Sequence, residues 1–275
     1  MRIALAALAI LLAVSARAEA ACSSWNPVWR AAAAANAKSV TASTWTFFEG
    51  RKGAEEGPGW DMYVPLILRT LDIRCEASDP GFAKALAGFQ RRAKLKPTGR
   101  MDAATARALR GRWQWRRDFL KKAAKACPLA DVATLQPVYA GDTRVLADRR
   151  VLTAYTHMRR AFEDAHPYMI RFGALDILSA WRDPAKDREV CKDNPTCNGV
   201  AKTDHCSSHW SGMALDLYVG MTGDHGPIDS NYENRLYQSR TVIYQWMLDH
   251  AGEYGFVNYP FEPWHWEWQE EVPAY

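Results

Sequence analysis

The sequence predicts an α+β fold, a mainly antiparallel sheet with flanking helices preceded by a small three-helix domain, and three observations carry that prediction. Apolar residues recur at helical spacing between about residues 60 and 112. Met213, Leu215, Leu217 and Val219 alternate with Ala214, Asp216 and Tyr218, the period-two signature of a strand with one core face, from which Asp216 points away. Two amphipathic helical stretches, residues 151–162 and 233–254, flank that strand.

The chain has 275 residues, 48% of them hydrophobic and 24% charged, enough for one large domain or two modest ones and unlike a disordered composition. Residues 1–20 run from Arg2 through the apolar stretch Ile3 to Val14 to Ala18-Glu19-Ala20, the build of a cleavable secretory signal. Cys22 invites a lipid-anchored reading, against which Glu19 stands where an aliphatic residue is wanted. Without the two arginines and one glutamate of residues 1–20, the formal charge falls from +4 to +3, too mild to indicate nucleic acid. No later apolar run reaches membrane-spanning length. The expected location is therefore across the inner membrane, in the periplasm or outside the cell. Six cysteines at 22, 75, 127, 191, 197 and 206 suit a disulfide-permitting compartment. Their spacing suggests at least one local bridge among Cys191, Cys197 and Cys206 and allows a clamp between Cys75 and Cys127 at the ends of a helical module, but sequence alone does not choose among the fifteen pairings of six cysteines.

Ala-rich then Gly-rich residues 21–56 read as an N-terminal lead-in. Beyond them, Val64, Leu66, Ile67 and Leu71 form one helical stripe and Phe82, Leu86 and Phe89 another. A third helix follows Pro97-Thr98-Gly99, with Asp102 as its cap, Ala103 to Ala108 favouring it and Leu109 supplying an apolar contact. Phe89-Gln90-Arg91, Leu95, Pro97-Thr98-Gly99, Asp102, Thr105 and Leu109 together resemble the signature of the three-helix peptidoglycan-binding-like module, assigned here to residues 57–113. The resemblance implies glycan or peptide contact through that segment, or a spacer role.

Residues 114–147, with Trp115, Pro128 and Pro137, read as a helix and an extended linker. In the second domain, residues 148–275, Val151, Tyr155, Met158 and Phe162 line one helix face and Pro167 ends that helix. A strand from Ala174 to Ala180 delivers Trp181-Arg182. The stretch Glu233 to Tyr254 reads as a single helix stopped by Gly255. An aromatic-rich extended segment, Phe256 to Trp268, ends the domain, and its Trp264, Trp266 and Trp268 either wall a cleft or cover the sheet.

The chemistry concentrates in Ser207-Ser208-His209-Trp210-Ser211-Gly212-Met213-Ala214-Leu215-Asp216 and, far downstream, Glu262-Pro263-Trp264-His265. Two neutral histidines and one carboxylate hold zinc with a single negative ligand charge, so the ion stays electrophilic and a fourth position remains for water, whose pKa falls to about 7. Glu262, three residues before His265, is the natural proton acceptor, provided that Pro263 turns the chain, since an odd offset in a strand separates the two side chains. His205, beside Cys206, reads as a loop residue.

These two motifs, Ser207-x-His209-x-x-Gly212-x-x-x-Asp216 and Glu262-Pro263-Trp264-His265, resemble the zinc D-Ala-D-Ala carboxypeptidase family, which includes the D,D-peptidases of vancomycin resistance and shares its fold with lysostaphin-type enzymes and hedgehog domains. The resemblance spans about residues 148–270. It implies one catalytic zinc on His209, Asp216 and His265, Glu262 as general base, and Arg182 as partner of the substrate's terminal carboxylate, which a planar guanidinium grips through two parallel hydrogen bonds. Ser207 resembles the family's serine near the substrate backbone. The implied activity is a secreted zinc metallopeptidase acting on peptidoglycan stem peptides as a D-alanyl-D-alanine carboxypeptidase. The alternatives are a cross-link endopeptidase and a non-catalytic wall-binding protein. Where many family members carry an arginine soon after the last ligand, this chain reads Trp266-Glu267-Trp268.

Overall fold

The computed structural model describes residues 22–48, 57–191, 202–203 and 206–273. They form two compact units that divide between Arg110 and Gly111.

In the first unit, helix α1 (Pro27–Ser39) starts where Asn26 accepts the Val28 N–H through its side chain at 2.9 Å. It is followed by α2 (Val64–Leu71), α3 (Pro80–Arg92) and the first part of α4 (Ala103–Trp115), the helix along which the chain passes from one unit to the next. The expected stripes are the core: Leu66, Ile67, Phe82, Leu86 and Leu109 are buried. The lead-in expectation needs correcting, because α1 belongs to this core. Its Ala32 and Ala33 meet Ala83 of α3, small side chains that let the two helices approach closely, and Asn36 spans the gap to the turn before α4. The Asn36 amide donates to Gly99 O (2.9 Å) and accepts from Met101 N–H (2.8 Å), satisfying backbone groups that burial would otherwise strand. Gln90 does the same from α3, accepting from Gly99 N–H (2.8 Å) and donating to Arg100 O and Thr105 Oγ1 (both 2.9 Å). Asp102 accepts the Thr105 N–H at 2.8 Å, as a cap should.

Cys75 bonds Cys22, closing a separation of 53 residues, so the expected Cys75–Cys127 clamp does not form. Cys127 pairs instead with Cys206 in the second unit, which removes Cys206 from any local bridge. Sequence spacing could not choose these partners, because disulfides join residues that the fold has already brought together. The pairing of Cys191 and Cys197 lies outside the described side chains.

The second unit begins with α5 (Asp118–Ala123) and an antiparallel hairpin of β1 (Leu135–Ala140) and β2 (Thr143–Asp148). Residues 114–147 are thus no linker: Ala130 N–H donates to Trp210 O, and Trp181 N–H donates to Leu146 O (both 2.8 Å). Helix α6 (Arg149–Ala165) buries Val151, Met158 and Phe162. A four-stranded antiparallel sheet runs β3 (Ile177–Ser179), β6 (Ala214–Leu217), β8 (His265–Trp268), β7 (Phe256–Asn258) in spatial order. Helix α7 (Pro184–Cys191) follows β3, and the short pair β4 (Lys202–Thr203) and β5 (Cys206–Ser207) precedes a 3-10 turn, Ser208–Ser211. Every residue of β6 is buried, so the face Asp216 occupies is a protein-lined site, not a solvent face.

The helix expected across 233–254 is two helices, α8 (Tyr232–Arg240) and α9 (Val242–His250), broken at extended Thr241. The Thr241 hydroxyl caps α9 by accepting from Tyr244 N–H (3.2 Å) and donates to Val219 O (2.8 Å), an arrangement that a continuous helix would forbid. Gly255, at φ 90°, follows the closing 3-10 turn as expected.

Two stability predictions follow from these contacts. Gly99 holds φ at 68°, and a Cβ there would lie 2.6 Å from Ala83 O, so Gly99→Ala should destabilise the first unit by more than about 1 kcal/mol in denaturant titration. Asp148 caps α6 through the Arg150 N–H (2.9 Å) and accepts from Thr134 Oγ1 (2.6 Å). Burial pushes its carboxyl up, but these bonds and the Arg150 guanidinium outweigh that and hold its pKa below the ordinary value. Asp148→Ala should cost about 1–2 kcal/mol at pH 7. A depressed folded-state pKa means that this stabilisation is whole above the ordinary carboxylate range and fades as pH falls through the lowered value. The wild-type and variant unfolding curves should therefore converge on acidification.

Candidate metal centre

Strand pairing assembles the site. Asp216 on β6 lies directly opposite His265 on β8 in the antiparallel register, so two of the three predicted ligands meet as a cross-strand pair. The third, His209, comes from the 3-10 turn just before β6, which Gly212 ends at φ 72°, a conformation that suits glycine. Leu135 of β1 lies 3.1 Å from where a Gly212 Cβ would sit, and Asp148 N–H donates to Gly212 O, so the hairpin braces this turn.

His209, Asp216 and His265 are all buried, and each offers one ligand atom within 4.8 Å of the other two. Asp216 Oδ1 is 3.3 Å from His209 Nε2 and 2.9 Å from His265 Nδ1. A tetrahedral zinc about 2.1 Å from each donor spaces them by about 3.4 Å, close to the two separations from Asp216. The tautomers fit as well. His209 Nδ1–H donates to Ala180 O at 2.6 Å, which leaves Nε2 as the lone pair facing Asp216. His265 turns Nδ1 to Asp216, and its Nε2 faces Ser208 Oγ at 3.0 Å and Glu267 Oε1 at 3.3 Å.

Burial lowers the His265 pKa, but hydrogen bonds to Asp216 and Glu267 overcome this and push it up to about 9. Burial acts upward on Asp216, yet the two histidines hold it well below the carboxylate range. His209 is lowered by burial and by the nearby Arg182 charge. A cation in place of the Nδ1 proton of His265 would meet Asp216, while Glu267 stays on the Nε2 side of the ring.

Residues 75–109 match the family described as "Putative peptidoglycan binding domain". No curated protein and no solved structure matches the chain. The match supports a cell-wall-related module. It spans Gln90, Gly99, Asp102 and Thr105, whose hydrogen bonds build the turn between α3 and α4, so these motif positions serve the fold of the module. With the two disulfides, and with no helix among the described residues long and apolar enough to cross a membrane, the match fits an extracellular or periplasmic, cell-wall-associated protein.

The other predicted residues cluster less evenly. Glu262 is half-buried in the reversal between β7 and β8. The backbone does reverse there: Glu262 N–H donates to Tyr259 O and His265 N–H donates to Glu262 O (both 2.9 Å), and Asn258 Nδ2 donates to Glu262 O (3.2 Å) and His265 O (3.0 Å). Arg182 follows β3 and reaches Asp216 Oδ2 at 3.0 Å, steadied by Ser179 Oγ at 3.2 Å, with about a third of its side chain exposed. Ser207 is buried in β5, and the hydroxyl that touches His265 belongs to its neighbour Ser208. His205 lies outside the described residues. Trp264 and Trp266 are buried, whereas Trp268 lines a cavity of about 190 Å³ beside Ser208 and Glu267.

Sequence reasoning passed over three residues around His265: Ser208, Glu267 and Arg117. Glu267 carried a usable signal, since positions 265 and 267 share one face of β8. Arg117 carried none, because it lies 150 residues away in sequence.

Proposed function

We propose that this chain is a secreted zinc metallopeptidase that hydrolyses D-amino-acid peptide bonds in peptidoglycan stem peptides, acting as a D-alanyl-D-alanine carboxypeptidase. The observation that carries the reading is the convergence of His209 Nε2, Asp216 Oδ1 and His265 Nδ1, with the opposite nitrogen of each histidine already engaged. Zinc in such a set supplies Lewis acidity toward a carbonyl oxygen and lowers the pKa of a water molecule.

The chain's own residues supply the rest. Glu262, fixed by the turn that also fixes His265, accepts the proton from the attacking water and returns it to the departing amine. Arg182, anchored on Asp216 and Ser179, pairs with the free carboxylate of a stem peptide and so selects a chain end. Ser207, buried in β5 two residues before His209, takes the place next to the substrate backbone only through the family resemblance. The peptidoglycan-binding module of residues 75–109 raises the local concentration of wall polymer.

One observation favours a second reading. Arg182 already satisfies Asp216 at 3.0 Å, and a cross-link endopeptidase, whose substrate needs no free carboxylate, would leave that pair undisturbed.

Purified protein with zinc should release D-alanine from a pentapeptide ending in D-Ala-D-Ala. No release from protein with metal confirmed bound would count against carboxypeptidase action. Glu262→Gln should lower kcat by about 10²–10⁴-fold while zinc stoichiometry stays at one per chain. Asp216→Ala should abolish stoichiometric zinc and with it the stabilisation that zinc at 100 times its Kd confers, about 2.7 kcal/mol in thermal unfolding. Arg182→Ala separates the two modes: large loss on free-ended peptides supports the first, and unchanged cleavage of cross-linked muropeptides supports the second.

A further inference from the structure

The Nε2 side of His265 is built from charged groups that the proposed reaction does not use. Glu267 and Arg117 are both buried. Arg117 grips Glu267 through two bonds, Nε to Oε2 at 2.9 Å and Nη2 to Oε1 at 2.5 Å. Its third nitrogen donates to Gln114 Oε1 at 2.6 Å, and the guanidinium lies 4.3 Å over the Tyr259 ring. A buried ion pair of this kind is poor value as a stabilising device, because desolvating both charges offsets most of their attraction, and an apolar pair of similar volume often does as well. Its position suggests another purpose. The Oε1 oxygen that Arg117 holds is the one that faces His265 Nε2 at 3.3 Å.

The two nitrogens of an imidazole lie on opposite sides of the ring. Asp216 and His209 occupy the Nδ1 side of His265, so Glu267 on the Nε2 side stands behind the ligand and outside the metal cradle. Backbone geometry brings the two side chains together: positions 265 and 267 point to the same face of β8, and Trp266 between them turns to the other. A carboxylate that accepts the Nε2–H fixes the tautomer in which Nδ1 offers its lone pair, holds the ring orientation and raises the basicity of the donor. Arg117 in turn keeps that carboxylate charged and aimed.

We infer that Glu267 is a positioning residue for the metal, locking His265 to ligate through Nδ1, and that Arg117 holds Glu267 in place for that task. The inference rests on the zinc reading of the site above. It gives a role to the acid found where many members of the resembling family carry an arginine, with the arginine here supplied from a distant segment.

The test uses the full chain, with zinc affinity measured by competition against a chromophoric chelator and Co²⁺ absorption as a second readout. Glu267→Gln leaves Arg117 buried without its counter-charge, so the informative variant is the neutral pair Arg117→Gln with Glu267→Gln. Folded by circular dichroism, it should bind zinc about 10–100-fold more weakly and shift the Co²⁺ visible bands. Ser208→Ala, which removes the other Nε2 partner, should change affinity by less than about 3-fold. Unchanged affinity in the folded neutral pair, or a large loss confined to Ser208→Ala, would overturn the assignment.

A readout independent of any variant is the ¹⁵N-detected tautomer of His265 in the zinc-loaded wild type. A proton on Nε2 is expected, and a proton on Nδ1 refutes the inference even if the neutral pair fails to fold. A wild-type chain that binds no zinc overturns both this inference and the function proposed above. A chain that binds zinc normally but ignores Glu267 overturns this one alone.

Discussion

The register of β6 against β8 is the constraint on which the second unit turns. Because Asp216 pairs with His265, and Ala214 with Glu267, one face of this strand pair carries the two carboxylates and the histidine between them. A slip of β8 by one residue against β6 would send His265 and Glu267 to the other face and bring Trp266 to the face that carries Asp216. The register is secured where slippage would be costliest. Trp266 is fully buried on the opposite face, Leu217 N–H donates to Trp264 O, and Trp268 N–H donates to Met213 O.

Burying this much charge is unfavourable unless each group finds a partner, and the site reads as a chain of such partnerships. Ala180 O takes the His209 proton, Arg182 covers the outer oxygen of Asp216, and Arg117 covers Glu267. Most of these partners come from segments whose positions other elements fix. β3 pairs with β6 and delivers Ala180 and Arg182, and the hairpin β1–β2 props the turn that carries His209. Asn258 ties both ends of the β7–β8 reversal together and is itself held by the Tyr244 hydroxyl on α9. Such partnerships hold the side chains of the site in place.

The first unit is organised by a different economy. Its buried polar residues, Asn36 and Gln90, spend their hydrogen bonds on the backbone of a single turn around Gly99. The residues that carry the likeness to peptidoglycan-binding modules are therefore largely those that shape this turn. Any wall contact must be made by the exposed surface around them, whose chemistry the motif leaves free to vary.

The sequence by itself determined the helical stripes of the first unit, the period-two strand around Asp216 and the identity of the three residues that meet there. Those signals are local or rest on residue types that few structural roles demand together, so they survive without knowledge of the fold. Only tertiary structure decided the disulfide partners, the break at Thr241, the integration of residues 114–147 and the pairing of Arg117 with Glu267. Each of these depends on contacts between segments far apart in the chain, and periodicity and spacing carry no information about which distant segment will arrive alongside.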